Sequence, residues 1–193
     1  MPWETKFDID NAIDKAIAVF WAKGYKSTSL TDLLEAMSIN KGSFYNTFGS
    51  KKALFAQALE KYDREHRHQL LTDLRNLNNP VLAINQLFNI SIKDSLKDPD
   101  RKGCFIINTA LDLPNHDKDT EVTVKRGLKQ VELFFQEQIE LGISQGEIPA
   151  KKDSADTAKS LLTLAAGWRV LSRGIFDEPD LNVIKKQVSA LIS

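Results

Sequence analysis

Helical spacing of apolar residues, sustained almost from end to end, is what most restricts the folds open to this chain. No stretch alternates apolar and polar residues over a strand's length, and no Asn-Gly or Asp-Gly pair marks a hairpin. Apolar side chains instead recur three and four residues apart. Ile9, Ile13, Ala16, Ile17, Phe20 and Trp21 line one face of a first helix, which closes on Lys23-Gly24, a basic last turn and a glycine stop. Ser29 and Asp32 form a capping-box-like start to a second helix, with Leu30, Leu33, Leu34 and Met37 on its inner face. Ser38-Ile39-Asn40 leads into a brief third helix over 41–48, and Gly49-Ser50 breaks the chain. A fourth helix runs from Lys51 into the seventies, with Leu54, Phe55, Ala58, Leu59 and Tyr62 inward. Beyond Glu60 it turns polar through Asp63-Arg64-Glu65-His66-Arg67-His68, the composition of a solvated connecting helix. After Asn78-Asn79-Pro80, helices are expected near 81–96, 104–113, 118–145, 154–174 and 180–192, punctuated by Pro and Gly. The expected fold class is all-α.

At 193 residues the chain can hold a small module joined to a larger one, and a division is expected near residue 65, giving parts 1–65 and 66–193. A single cysteine rules out an internal disulfide framework and fits a reducing compartment. Met1-Pro2-Trp3-Glu4 lacks the basic and apolar stretches of a signal peptide, and no apolar run approaches the roughly 20 residues of a membrane span. A cytoplasmic protein with no membrane partner is therefore expected. Zero net charge argues mildly against a nucleic-acid partner, although binding needs only a local basic patch. His66 and His68 point about 200° apart on a helix and cannot share a metal. His116, in a polar loop with Asp117, reads as solvated. No phosphate-binding glycine loop, Gly-x-Ser-x-Gly elbow or His-Glu-x-x-His occurs, so no enzyme, metal or cofactor is expected. A helical enzyme with dispersed carboxylates, or a helical adaptor, would be separated from a DNA reader by retention on a heparin or operator column.

Two short helices at about 29–48, joined by a few residues and preceded by a longer helix, have the layout of a helix-turn-helix DNA reader. On the third helix Phe44 and Phe48 share a face that can anchor it, while Gly42, Ser43 and Asn46, flanked by Tyr45 and Thr47, face away. Small, hydrogen-bonding residues suit approach to base edges in a major groove. Lys51 and Lys52 stand in the first turn of the next helix, where cations oppose the helix dipole unless an anion such as a DNA phosphate offsets them. Residues 9–55 resemble the N-terminal domain of the TetR family of bacterial repressors. The matching blocks are Ala16-x-x-x-Phe20-x-x-x-Gly24-Tyr25, Thr28-Ser29-Leu30-x-x-Leu33, Lys41-Gly42-Ser43-Phe44-Tyr45-x-x-Phe48 and Lys51-x-x-Leu54. The resemblance implies that Lys41, Gly42, Ser43, Tyr45, Asn46 and Thr47 face double-stranded operator DNA. It implies that Thr28, Ser29, Tyr45 and Lys51 hold phosphates. Ser38 stands where the family usually has glycine, and a left-handed conformation there costs about 1–2 kcal/mol.

The rest of the chain is less specific. Leu181, Ile184, Val188 and Leu191 form a stripe, and Ala165-Ala166-Gly167 allows close helix approach. The resemblance implies a homodimer through the last two helices of each subunit; an intramolecular core explains the same stripe. It also implies repression relieved by a small molecule bound in the helical body. Phe88, Phe105, Phe134, Phe135 and Trp168 are candidate walls for such an effector, with Asn108 or Arg169 to orient it, which points to an apolar or aromatic ligand. The stretch Gly-Cys-Phe-Ile-Ile-Asn-Thr-Ala at 103–110 is similar to one in a subset of the family. Cys104, at an expected helix start beside Arg101 and Lys102, is either an electrophile-reactive thiol or a small buried hydrophobe.

Overall fold

The computed structural model describes residues 7–193; Met1-Pro2-Trp3-Glu4 and the side chain of Leu181 lie outside the described residues. Ten α-helices follow one another among these residues: α1 Ile9–Lys23, α2 Leu30–Met37, α3 Lys41–Phe48, α4 Lys51–Tyr62, α5 Gln69–Arg75, α6 Pro80–Lys97, α7 Phe105–Ala110, α8 Lys118–Gln145, α9 Ser154–Leu171 and α10 Glu178–Ile192. No strand occurs among them, and no helix is long and apolar enough to cross a membrane.

The helix starts follow from local chemistry. Asp8, Ser29, Asn40, Ser50, Asn79, Asp117, Asp153 and Asp177 stand at N-caps, and each side chain accepts a hydrogen bond from the backbone N–H three residues on. Each cap contributes about 1 kcal/mol. Ser29 and Asp32 complete the capping box reciprocally. Ser38 is left-handed, at φ 57° and ψ 42°, and so carries the strain that glycine would avoid. The helix expected over 104–113 stops at Ala110, followed by a 3-10 turn at Leu113–Asn115 that includes Pro114, which has no N–H to donate.

Two hydrophobic clusters organise the chain. Phe20, Leu33, Phe44, Leu54, Phe55 and Leu59 from α1–α4 form one, joined by Phe105 and Ile106 of α7 and Val124 of α8. Ile84, Phe88, Phe134, Phe135, Leu161 and Trp168 of α6, α8 and α9 form the other, together with Ile184 and Val188 of α10. Those two α10 residues are therefore packed inside their own subunit, which corrects their placement on a subunit interface. The face of α10 opposite them exposes Val183.

The connection between the clusters is the helix expected from Lys51 into the seventies, with one departure. α4 does not end at Tyr62; it continues through a π-helical turn, Asp63–His68, into α5. Its polar residues are not all solvated, because Lys61 and Asp63 are only 4% and 2% exposed. Lys61 reaches Asp10 and Asp14 on α1 at 2.8 and 2.6 Å. Burial alone would lower the Lys61 pKa, but its bonds to these two carboxylates outweigh that and raise it. Asp63 accepts from Arg67 Nε and Nη2 at 2.5 and 2.7 Å. The turn lies against α8 at Gly127, where a Cβ would come within 3.0 Å of Asp63 Oδ1. π-Turns are rare and concentrate where a helix serves a function.

Candidate nucleic-acid interface and cavity

α3 is held by its buried face and presents the other. Phe44 and Phe48 are buried, while Lys41, Gly42, Tyr45 and Asn46 are exposed and Ser43 and Thr47 half-exposed. A Cβ on Gly42 would meet only Asn40 Oδ1, at 3.3 Å, so the outer face is bare at that point. Lys41 makes no ion pair among the described residues. Lys23 and Lys26, by contrast, are paired with Asp32 and Asp112. The Lys23 bond and the Ser29 contacts hold the Asp32 carboxyl at about 2.

The four residues expected at phosphates separate into two pairs. Ser29 and Tyr45 are exposed beside α3. Thr28 is buried, and its Oγ1 donates to the Gly24 carbonyl at 2.7 Å, tying down the end of α1. Lys51 Nζ donates to the carbonyls of Tyr25 and Thr28 at 2.9 and 2.6 Å and lies 4.4 Å from the centre of the Tyr25 ring. The partial negative charge of those carbonyls, with the ring face, balances a cation at the α4 N-terminus without any phosphate. The sequence carried a hint of this, since Tyr25 and Lys51 belong to the same set of matching blocks.

The helical body encloses a cavity of about 510 Å³, within the range of small-molecule sites. Leu70, Leu87, Ile106, Val131, Leu162 and Trp168 supply much of its apolar wall. Of the residues expected there, Cys104, Trp168 and Arg169 line it. Phe88 and Phe134 do not; they are packed in the second hydrophobic cluster beside Phe135. Phe105 faces Phe55 and Tyr62 in the first cluster. Asn108 lies off the cavity wall, donating to the Lys102 carbonyl and accepting from Arg173. Aromatic spacing could not separate wall from core, because both use apolar rings on inward helix faces.

Sequence reasoning missed the wall formed by the π-turn and its neighbours. Tyr62, Glu65, His66 and Arg67 line the cavity, as does Trp21 from α1. His66 stacks on Tyr62 with centroids 4.4 Å apart. Burial pushes the Tyr62 phenol well up. His116 is also not simply solvated: its ring stacks on Phe55 at 4.9 Å, and burial lowers its pKa against the pull of Asp112 and Asp117. It lies where α4 meets the start of α8, beside a Lys52–Asp117 contact of 3.8 Å.

Comparison with known proteins covers both parts of the chain. The family model for bacterial regulatory proteins of the tetR family matches residues 12–58, and that for the tetracyclin repressor-like C-terminal domain matches residues 83–180. The chain is 33% identical over 144 residues to YezE of Bacillus subtilis, an uncharacterized HTH-type transcriptional regulator, covering 74% of each protein. It is 30% identical over 172 residues to the HTH-type transcriptional repressor ComR of Escherichia coli, covering 86% of this chain and 80% of ComR. Among solved structures, a cysteine mutant of the TetR family regulator CifR, complexed with 26-base-pair operator DNA, matches with a TM-score of 0.82 at 27% identity, covering 96% of this chain and 97% of that one.

Proposed function

Because the chain belongs to the TetR family of transcriptional regulators, we propose that it is a homodimeric repressor that leaves its operator when a small molecule fills the cavity. The observation that carries this reading is one continuous helical segment, α4 through the π-turn to α5, that serves both sites. Leu54 and Phe55 hold the reading head at one end, and His66, Arg67 and Leu70 wall the cavity farther along. A ligand that moves this segment changes the separation of two heads matched to fixed half-sites. The division of labour near residue 65 follows the same segment.

Lys41, Gly42, Ser43, Asn46 and Thr47 read the groove, with Ser29 and Tyr45 at phosphates; Thr28 and Lys51 brace the head that presents them. The subunits meet through the outer faces of α9 and α10. Gly167 supports this, being exposed with open space where its Cβ would stand, and so does exposed Val183. Selection of operator DNA from a random pool tests the reading. The expected site is a pseudo-palindrome, Asn46→Ala changes the preferred bases, and Val183→Asp with Gly167→Trp yields monomers of weak affinity. A wild-type monomer that binds DNA tightly would refute it.

A second reading assigns release to Cys104, whose half-exposed thiol lines the same cavity. Its cationic setting is weaker than the sequence implied. Lys102 is paired with Asp98 and Asp100, and Arg101 is turned to the Phe176 carbonyl. α7 has only six residues. Cys104→Ser separates the readings: reversible release by the natural inducer persists if the cavity responds and disappears if the thiol does.

A further inference from the structure

We propose that the cavity selects an anionic ligand, a carboxylate on an apolar or aromatic body, with Arg169 as the group that holds the anion. This rests on the reading of the cavity as the effector site. The inside of the cavity is otherwise apolar, so its few polar atoms decide what enters. Those able to donate are the Arg169 guanidinium, the Tyr62 phenol, the hydroxyls of Ser91 and Ser95, and the indole N–H of Trp21. Trp21 Nε1 is buried with no hydrogen-bond partner among the described residues, a costly state that an acceptor on a ligand would relieve.

Each other cation on the wall is already neutralised. Arg67 is paired with buried Asp63, and Lys102 with Asp98 and Asp100. Arg169 has no carboxylate partner among the described residues; its Nη1 donates to Ser95 Oγ at 3.1 Å, and its guanidinium lies 5.6 Å from the centre of the Trp168 ring. Trp168 itself is only 1% exposed, so the guanidinium is steadied against a fixed surface. The acids Glu65, Asp73 and Asp94 on the wall are exposed to solvent, where their field is screened, and Asp98 is committed to Lys102. A guanidinium with a free fork beside hydroxyl donors matches a carboxylate in charge and in planar geometry. A ligand amine would meet the like charge of Arg169, which has no carboxylate partner among the described residues.

The test compares three probes that share one body: 4-phenylbutyrate, 4-phenylbutanol and 4-phenylbutylamine. Binding to the full-length protein is followed by calorimetry and by tryptophan fluorescence, since Trp21 and Trp168 line the cavity. The carboxylate should bind at least about tenfold tighter than the alcohol, equivalent to about 1.4 kcal/mol, and the amine weakest. Arg169→Gln should remove the preference for carboxylate over alcohol while alcohol binding stays within about twofold, and Arg169→Lys should restore part of it. Circular dichroism melting checks that the variants fold; the wild-type ranking stands without them. An alcohol or amine that binds as tightly as the carboxylate would overturn the anion assignment and leave the effector-site reading intact. If none of the three binds up to roughly 10 mM, weaker than any ordinary effector, the effector-site reading falls and the assignment with it.

Discussion

The reading head and the helical body are built from the same kind of helix and use it differently. In the head, helices α1–α4 close on Phe20, Leu33, Phe44 and Leu54, all fully buried, and even the amine of Lys51 is spent on two loop carbonyls. In the body, helices of up to 28 residues enclose about 510 Å³ that their own side chains leave empty. A part that must match a rigid duplex gains from having one packed state. The proposed function asks the body to answer a ligand as well, which needs room and an element able to rearrange. The π-turn at Asp63–His68 stands at the boundary, anchored to α1 through Lys61 and to α8 through Asp63.

That contrast can be broken in four ways, in falling order of effect. Phe44→Ala removes the anchor of α3 from a site with no spare room, and should lower unfolding free energy by about 3–5 kcal/mol in denaturant melts. A loss under about 1 kcal/mol would mean that the head repacks as freely as the body. Lys51→Met should cost about 1–3 kcal/mol, by stranding two carbonyls, and should leave the salt dependence of operator binding nearly unchanged. Lys41→Ala should show the reverse, unchanged stability and a salt slope reduced by about one phosphate contact. If the salt slope follows Lys51 instead, its amine leaves the carbonyls when DNA binds.

Gly127→Ala sharpens the comparison at the boundary. Crowding Asp63 costs about 1–3 kcal/mol, against about 1 kcal/mol gained in helix propensity. The expected net loss is about 1 kcal/mol by thermal melting, with inducer response altered more than operator affinity; an unchanged melt would show that the π-turn is loosely seated. The smallest effect concerns pH. Burial lowers the His116 pKa, so the folded protein holds the ring neutral while the unfolded chain takes up a proton more readily. Its contribution is complete above the unfolded value of about 6.5 and is lost as pH falls through the lowered folded value. His116→Phe keeps a ring on Phe55 and should flatten the melting temperature between pH 7 and 5; an unchanged profile would place the titration elsewhere.

Legibility followed the range of the interactions. Phe44 and Phe48 fall on one face of α3 by helical geometry alone, and Ser29 and Asp32 cap α2 across a single turn. The left-handed Ser38 was readable for the same reason. Thr28 and Lys51 are expected at phosphates from the resemblance, and their bracing contacts were not legible because the partners lie on the α1–α2 connection. In the body, Phe134 and Trp168 are both buried rings of one core, yet only Trp168 also borders the cavity. Ile184 and Val188 read equally as interface and core, and packing against α6 and α9 places them in the core.

The sequence by itself determined the helices, their caps and the orientation of the reading helix, since each depends on contacts within three or four residues. Tertiary structure alone decided where the cavity lies, which cation on its wall has no carboxylate partner among the described residues, and that Asp63 is buried within an otherwise largely exposed run of charges. Those outcomes depend on which side chains meet across helices far apart in the chain. A carboxylate such as Asp63 can enter the interior only once Arg67 turns to meet it and Gly127 leaves the space.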